Sequence, residues 1–116
     1  MSNKVQVPNI ITIGGHPYKV EFDSELEIEN NGGKVPYYRG KILINPFRPS
    51  DWIMTALIHE VLHIVDIVYC QNNLTEDSVL GLAEGLTQLF TELGIDFDWS
   101  NIPKSIGDIY TKGVAV

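Results

Sequence analysis

Thr55-Ala56-Leu57-Ile58-His59-Glu60-Val61-Leu62-His63-Ile64-Val65-Asp66 is the stretch on which the reading of this chain turns. It sets H-E-x-x-H inside an apolar run with helical spacing. Residues four apart on a helix lie one above the other, so His59 and His63 are predicted to present two imidazoles to one metal ion. Glu60 sits about 100° further round the helix, beside such an ion and not on it, where its carboxylate would take a proton from a metal-bound water. Two ligands and a general base on little more than one turn is a zinc-site pattern with a mechanism behind it.

The helix around the motif extends that reading. Pro46-Phe47-Arg48-Pro49 stops whatever precedes it; Ser50 is a suitable N-cap and Asp51 puts negative charge in the first turn. The predicted helix runs from about Asp51 to Tyr69. Ile53, Met54, Ala56, Leu57, Ile58, Val61, Leu62, Ile64, Val65, Ile67 and Val68 almost surround it, as in a buried central helix. Burying His59, Glu60, His63 and Asp66 there is costly unless they are paired or metal-bound. That energetic argument stands apart from the motif. Gln71-Asn72-Asn73 ends the helix, and Thr75 caps a second one reaching about Leu93, with Gly94 as its C′ residue. Val79, Leu82, Ala83, Leu86, Leu89, Phe90 and Leu93 read as its packing stripe, and Gly81 and Gly85 suggest close approach by another element.

N-terminal to the helices the period changes to two. Ile10-Ile11-Thr12-Ile13, a Gly14-Gly15 turn, and Tyr18, Val20 and Phe22 alternating with charged residues form a predicted hairpin. After an acidic segment, Asp23 to Glu29, and the turn Asn30 to Gly33, a third strand is expected over Val35 to Asn45, at an edge because of Pro36. Tyr37 and Tyr38 on it are candidates to line a substrate groove. His16 is read as a hairpin-end polar residue. Residues 1–9 are expected to be flexible, and residues 94–116 to form a tail packing on the core. The expected fold is therefore α+β in a single domain spanning residues 1–116. A small antiparallel-type sheet of about three strands packs on the central helix and a second, antiparallel helix.

The 116 residues suffice for one core. With 8 Lys+Arg against 15 Asp+Glu, the formal charge of −7 disfavours phosphate backbones and anionic membranes. No nucleic-acid or membrane partner is expected. The one cysteine, Cys70, excludes an internal disulfide and fits a reducing compartment. The first residues lack a continuous apolar run, so no signal peptide or membrane span is expected, and the expected location is the cytoplasm.

Catalytic zinc takes three protein ligands and leaves a fourth position to water. Glu84, mid-way along the second helix, is the expected third ligand. Asp66 competes for that place, but its position suits a hydrogen bond to a ligand imidazole or a backbone cap better. Glu76, Asp77 and Glu92 read as solvated or end-of-helix charges, and Cys70 as a small packed residue.

His59-Glu60-x-x-His63 followed by Glu84 resembles the gluzincin class of zinc metallopeptidases. More narrowly, the run from Ile10 to about Leu93 resembles small HExxH peptidase-like proteins encoded by phages and prophages in bacteria, loosely related to the ImmA/IrrE and SprT-like minimal zincins. The pieces that carry the likeness are the hairpin Ile11 to Phe22, Gly40-Lys41-Ile42-Leu43-Ile44, Leu57 to Asp66, and Leu82-Ala83-Glu84-Gly85-Leu86. The resemblance implies Zn2+ on His59, His63 and Glu84, Glu60 as general base, a peptide or protein substrate, and a bacterial host cell. Tyr37, Tyr38, Tyr110 and His16 are the candidates to stabilise an oxyanion. The alternative expectation is a non-enzymatic, zinc-stabilised module that binds a protein partner.

Overall fold

Two apolar rows on one long helix organise the structure, a computed structural model that describes residues 3–36 and 40–104. The elements in order are β1 (Asn3–Gln6), β2 (Ile10–Ile13), β3 (His16–Phe22), α1 (Glu25–Ile28), β4 (Gly33–Lys34), β5 (Lys41–Ile44), α2 (Ser50–Tyr69), α3 (Glu76–Glu92) and β6 (Ile95–Asp98). On α2, Ile53, Leu57, Glu60 and Ile64 recur at helical spacing and are all buried. The three apolar members of that row share a core with Val20, Ile42 and Ile44 of β3 and β5. Met54 and Ile58 form a second row, which packs with Ala83 of α3; Leu62, Leu86 and Phe90 flank this smaller cluster. The class is α+β, as the change of period from two to 3.6 predicts.

The sheet has four strands in the order β2-β3-β5-β4. β2 and β3 form the predicted antiparallel hairpin, with Gly14 and Gly15 at positive φ in its turn. β5 then runs parallel to β3, pairing Val20 with Ile42 and Phe22 with Ile44. Of the stretch read as one strand over Val35 to Asn45, only Lys41–Ile44 is a described strand, β5; the two-residue β4 lies just before that stretch, at the end of the expected turn, and pairs antiparallel with β5. A parallel neighbour needs a crossover, and the turn α1 with its loop supplies one between β3 and β5. Asn45, fully buried, ties this crossover down. Its side-chain amide donates to Glu27 Oε1 and the Asn31 carbonyl, and its Oδ1 accepts from the Phe47 amide at the approach to α2.

Three other expectations are corrected. Residues Asn3–Gln6 do not fray: β1 pairs in parallel with β6, residue for residue from Asn3↔Ile95 to Gln6↔Asp98. Ser50 is the first residue of α2 and not its N-cap, a place taken by Pro49, which has no side-chain capping hydrogen bond. On α3 the expected stripe is half right. Val79 and Ala83 are buried, but Leu82, Leu89 and Leu93 are exposed, and Gly81 and Gly85 face open space among the described residues. The capping expectations for α3 itself hold: Thr75 Oγ1 accepts the Ser78 amide, and Gly94 has φ of 76°. The segment after β6 returns to the core through Ile102, which is buried. Tyr37, Tyr38 and Tyr110 lie outside the described residues.

α2 is long and apolar enough to cross a bilayer by length and composition alone. Here it lies between the sheet and α3, with one row buried on each and a third, polar row left over.

Candidate metal centre

That third row is Thr55, His59 and His63, spaced four apart along α2. Both imidazoles are partly buried and turn the same way, as the motif requires. Their Nε2 atoms are 3.0 Å apart. Glu76, the first residue of α3, reaches across to both: its Oε1 lies 2.7 Å from His59 Nε2 and its Oε2 lies 3.0 Å from His63 Nε2. One donor atom from each of the three residues falls within 4.8 Å of the other two.

Glu84 is not brought to the histidines. It is exposed and lines a separate cavity of about 640 Å³ with Asp51, Trp52, Thr55, Leu80 and Thr87. The reason is rotational. Ala83 is fully buried in the α2–α3 packing, so the next residue points about 100° away from it. Glu76 precedes Ala83 by seven residues, two turns, and so shares the face of α3 that packs on α2. The carboxylate brought to the two histidines is therefore that of Glu76, and not the expected Glu84. The signal for Glu76 was present in the sequence: a connection of only six residues, 70–75, must lay the first turn of α3 against the last turns of α2.

Asp66 also stays off the cluster and bonds to no imidazole. It is 1% exposed, and its carboxylate accepts the backbone amides of Asn73 and Leu74. Of the two roles open to it in the sequence, the structure has the backbone cap.

Glu60 belongs to the sheet-facing row and lies against edge strand β4. A Cβ at Gly33 would stand 3.2 Å from Glu60 Cγ and 3.0 Å from the Leu43 carbonyl oxygen. Glycine thus lets the strand close on the carboxylate's stem. Burial, reinforced by the Glu76 carboxylate, pushes the Glu60 carboxyl up to about 7. Perturbation of this kind, desolvation together with a named charge in a cleft, is typical of acid–base groups. His59, Glu60, His63 and Glu76 open on one cavity of about 340 Å³, whose other wall is Asn31, Gly33, Lys34 and Val35.

The donor set fits a divalent metal. Two imidazole nitrogens and one carboxylate oxygen are a familiar catalytic zinc set, and three protein donors leave a fourth position open. Hydrogen bonding alone serves these atoms poorly. If both Nε2 atoms carry hydrogens for Glu76, the two N–H groups crowd each other across 3.0 Å. If one is bare, that ring loses its bond to the carboxylate. A cation held by His59, His63 and Glu76 would satisfy all three donors at once.

A scan against protein-family models finds no match to this chain, and searches of curated proteins and of solved structures also return none. The functional reading therefore rests on the site itself.

Proposed function

We propose that the protein is a zinc-dependent metallopeptidase, with the ion held by His59, His63 and Glu76 and with Glu60 as general base. The observation that carries this reading is the convergence of His59, His63 and Glu76 beside a buried carboxylate, in a cavity open along a sheet edge. Bound there, zinc supplies Lewis acidity, lowering the pKa of water and polarising a carbonyl oxygen. The chain's own residues do the rest. Glu60, one residue from His59 and outside the donor cluster, takes a proton from the attacking water on its carboxylate. As the C–N bond breaks, it passes that proton to the departing amine nitrogen. Its buried stem, held against Gly33 of the edge strand, keeps the carboxylate in place for both transfers.

β4 supplies the place for an extended substrate. It is the last strand of the sheet, and Gly33, Lys34 and Val35 line the cavity. A peptide added to this edge would gain main-chain hydrogen bonds with little demand on its sequence. The open wall also favours this reading over a zinc site that serves only as a staple, where four protein donors close the ion off.

Metal analysis of the purified chain beside hydrolysis of a mixed peptide library tests the proposal. One zinc per chain and cleavage abolished by a chelator and restored by zinc are expected. Peptide cleavage unaffected by complete metal removal, or a chain that takes up no zinc, would overturn it.

A further inference from the structure

The link between the two helices carries more order than a six-residue connection requires. After Tyr69 the chain passes through Gln71 and Asn72, both at φ of 58°. Non-glycine residues are strained in this left-handed region and persist there where surroundings hold them. Here one residue does much of the holding. The Asp66 carbonyl accepts the amides of Cys70 and Asn72, at 2.9 and 3.0 Å. Its carboxylate accepts those of Asn73 and Leu74, at 2.9 and 3.2 Å. Asp66 follows Leu62 by four residues, at the end of the row that packs toward α3. Among the described residues no lysine or arginine pairs with its carboxylate.

Leu74 is two residues before Glu76, with only the capping residue Thr75 between them. An amide pinned at Leu74 sets where α3 starts, and hence where Glu76 stands relative to His59 and His63. Building on the zinc reading above, we infer that Asp66 is a positioning residue for the metal centre: through the amides of Asn73 and Leu74 it fixes the third ligand against the two histidines. The ligands on α2 come with the helix; the one on α3 depends on this clamp.

A double-mutant cycle read as zinc affinity, by competition with a chromophoric chelator, separates this role from a merely structural one. D66A, which removes the acceptor of both amides, should weaken zinc binding about 10–100-fold. In an E76A background the same change should add almost nothing, because the group it positions is gone. In an E84A background it should keep its full effect. Equal losses with and without Glu76, or wild-type affinity in D66A, would overturn the inference while leaving the zinc reading intact. A wild-type chain that binds no zinc would overturn both. Should D66A not fold, one glycine inserted between Leu74 and Thr75 asks the same question, since it keeps the Asp66 bonds and displaces Glu76. A comparable loss of zinc affinity is expected there, and unchanged affinity would contradict the proposal.

Discussion

Glu76 and Glu84 lie two turns apart on the same helix and have opposite surroundings. Around Glu76, donor atoms of His59 and His63 are within hydrogen-bonding distance, Glu60 is buried nearby, and Asp66 holds the incoming chain. Around Glu84 the helix carries two glycines with open space beside them, an exposed Leu82, and a separate cavity that no histidine lines. What separates the two is not how apolar the local sequence is, since Glu84 has the more apolar neighbours. It is the angle to the buried Ala83 and the distance from a tightly held connection. A functional carboxylate on a packed helix is found by its face, not by the company it keeps in sequence.

Glu60→Gln should produce the largest effect at the Glu76 end. Glutamine keeps the shape but cannot shuttle a proton, so turnover should fall about 10²–10⁴-fold. Zinc content should stay at one per chain. Loss of the metal in this variant would make Glu60 a ligand and undo the division of roles between it and Glu76.

Chelation comes next. Metal that binds the native state alone stabilises it by about 4 kcal/mol at a free concentration a thousand times Kd. Stripping it should therefore lower the melting temperature by on the order of 10 °C. An Asp51→Asn chain, altered at the Glu84 cavity, should show the same drop. A melt that does not respond to verified metal removal would deny the centre a part in the fold.

Much of this was legible before the structure, and the failures share a cause. The motif placed His59 and His63 on one side of an apolar helix and Glu60 about 100° round from them, because all three are set by a single helical period. The hairpin of β2 and β3 followed from alternation around Gly14-Gly15. What sequence reasoning missed depends on contacts between distant segments. β1 is exposed along its length and shows no buried face; only β6, about ninety residues on, makes it a strand. The stretch 35–45 reads as one strand from its β-forming residues, yet the described strand there is only Lys41–Ile44, and β4 at Gly33–Lys34 sits where the sequence reads as a turn. Glu76 passes for a helix-end charge because it also occupies a favourable place after the Thr75 cap. Choosing between Glu76 and Glu84 needed the facing of α3, and Leu82, Leu89 and Leu93 obscured it by being apolar yet exposed.

Smaller effects sharpen the contrast between the two ends. Gly33→Ala forces a methyl group against Glu60 and the Leu43 carbonyl, and overpacking of this kind costs roughly 1–3 kcal/mol. The expected outcome is a modest fall in denaturation midpoint with a clear fall in kcat, read by urea melts and initial rates. At the other end, Gly81→Ala and Gly85→Ala should each stabilise the chain by about 0.5–1 kcal/mol, because the added methyl meets no neighbour and the helix gains propensity. Zinc affinity should not change in either. A loss of stability would mean that something packs on that face.

The most direct measurement is a zinc titration of three chains side by side: wild type, Glu76→Ala and Glu84→Ala, each checked for folding by circular dichroism. Wild type should bind one zinc. Glu84→Ala should bind it as tightly, while Glu76→Ala should lose more than about 100-fold in affinity, beyond what removal of a group not on the metal costs. Tight stoichiometric binding by Glu76→Ala together with its loss in Glu84→Ala would contradict the account at its centre.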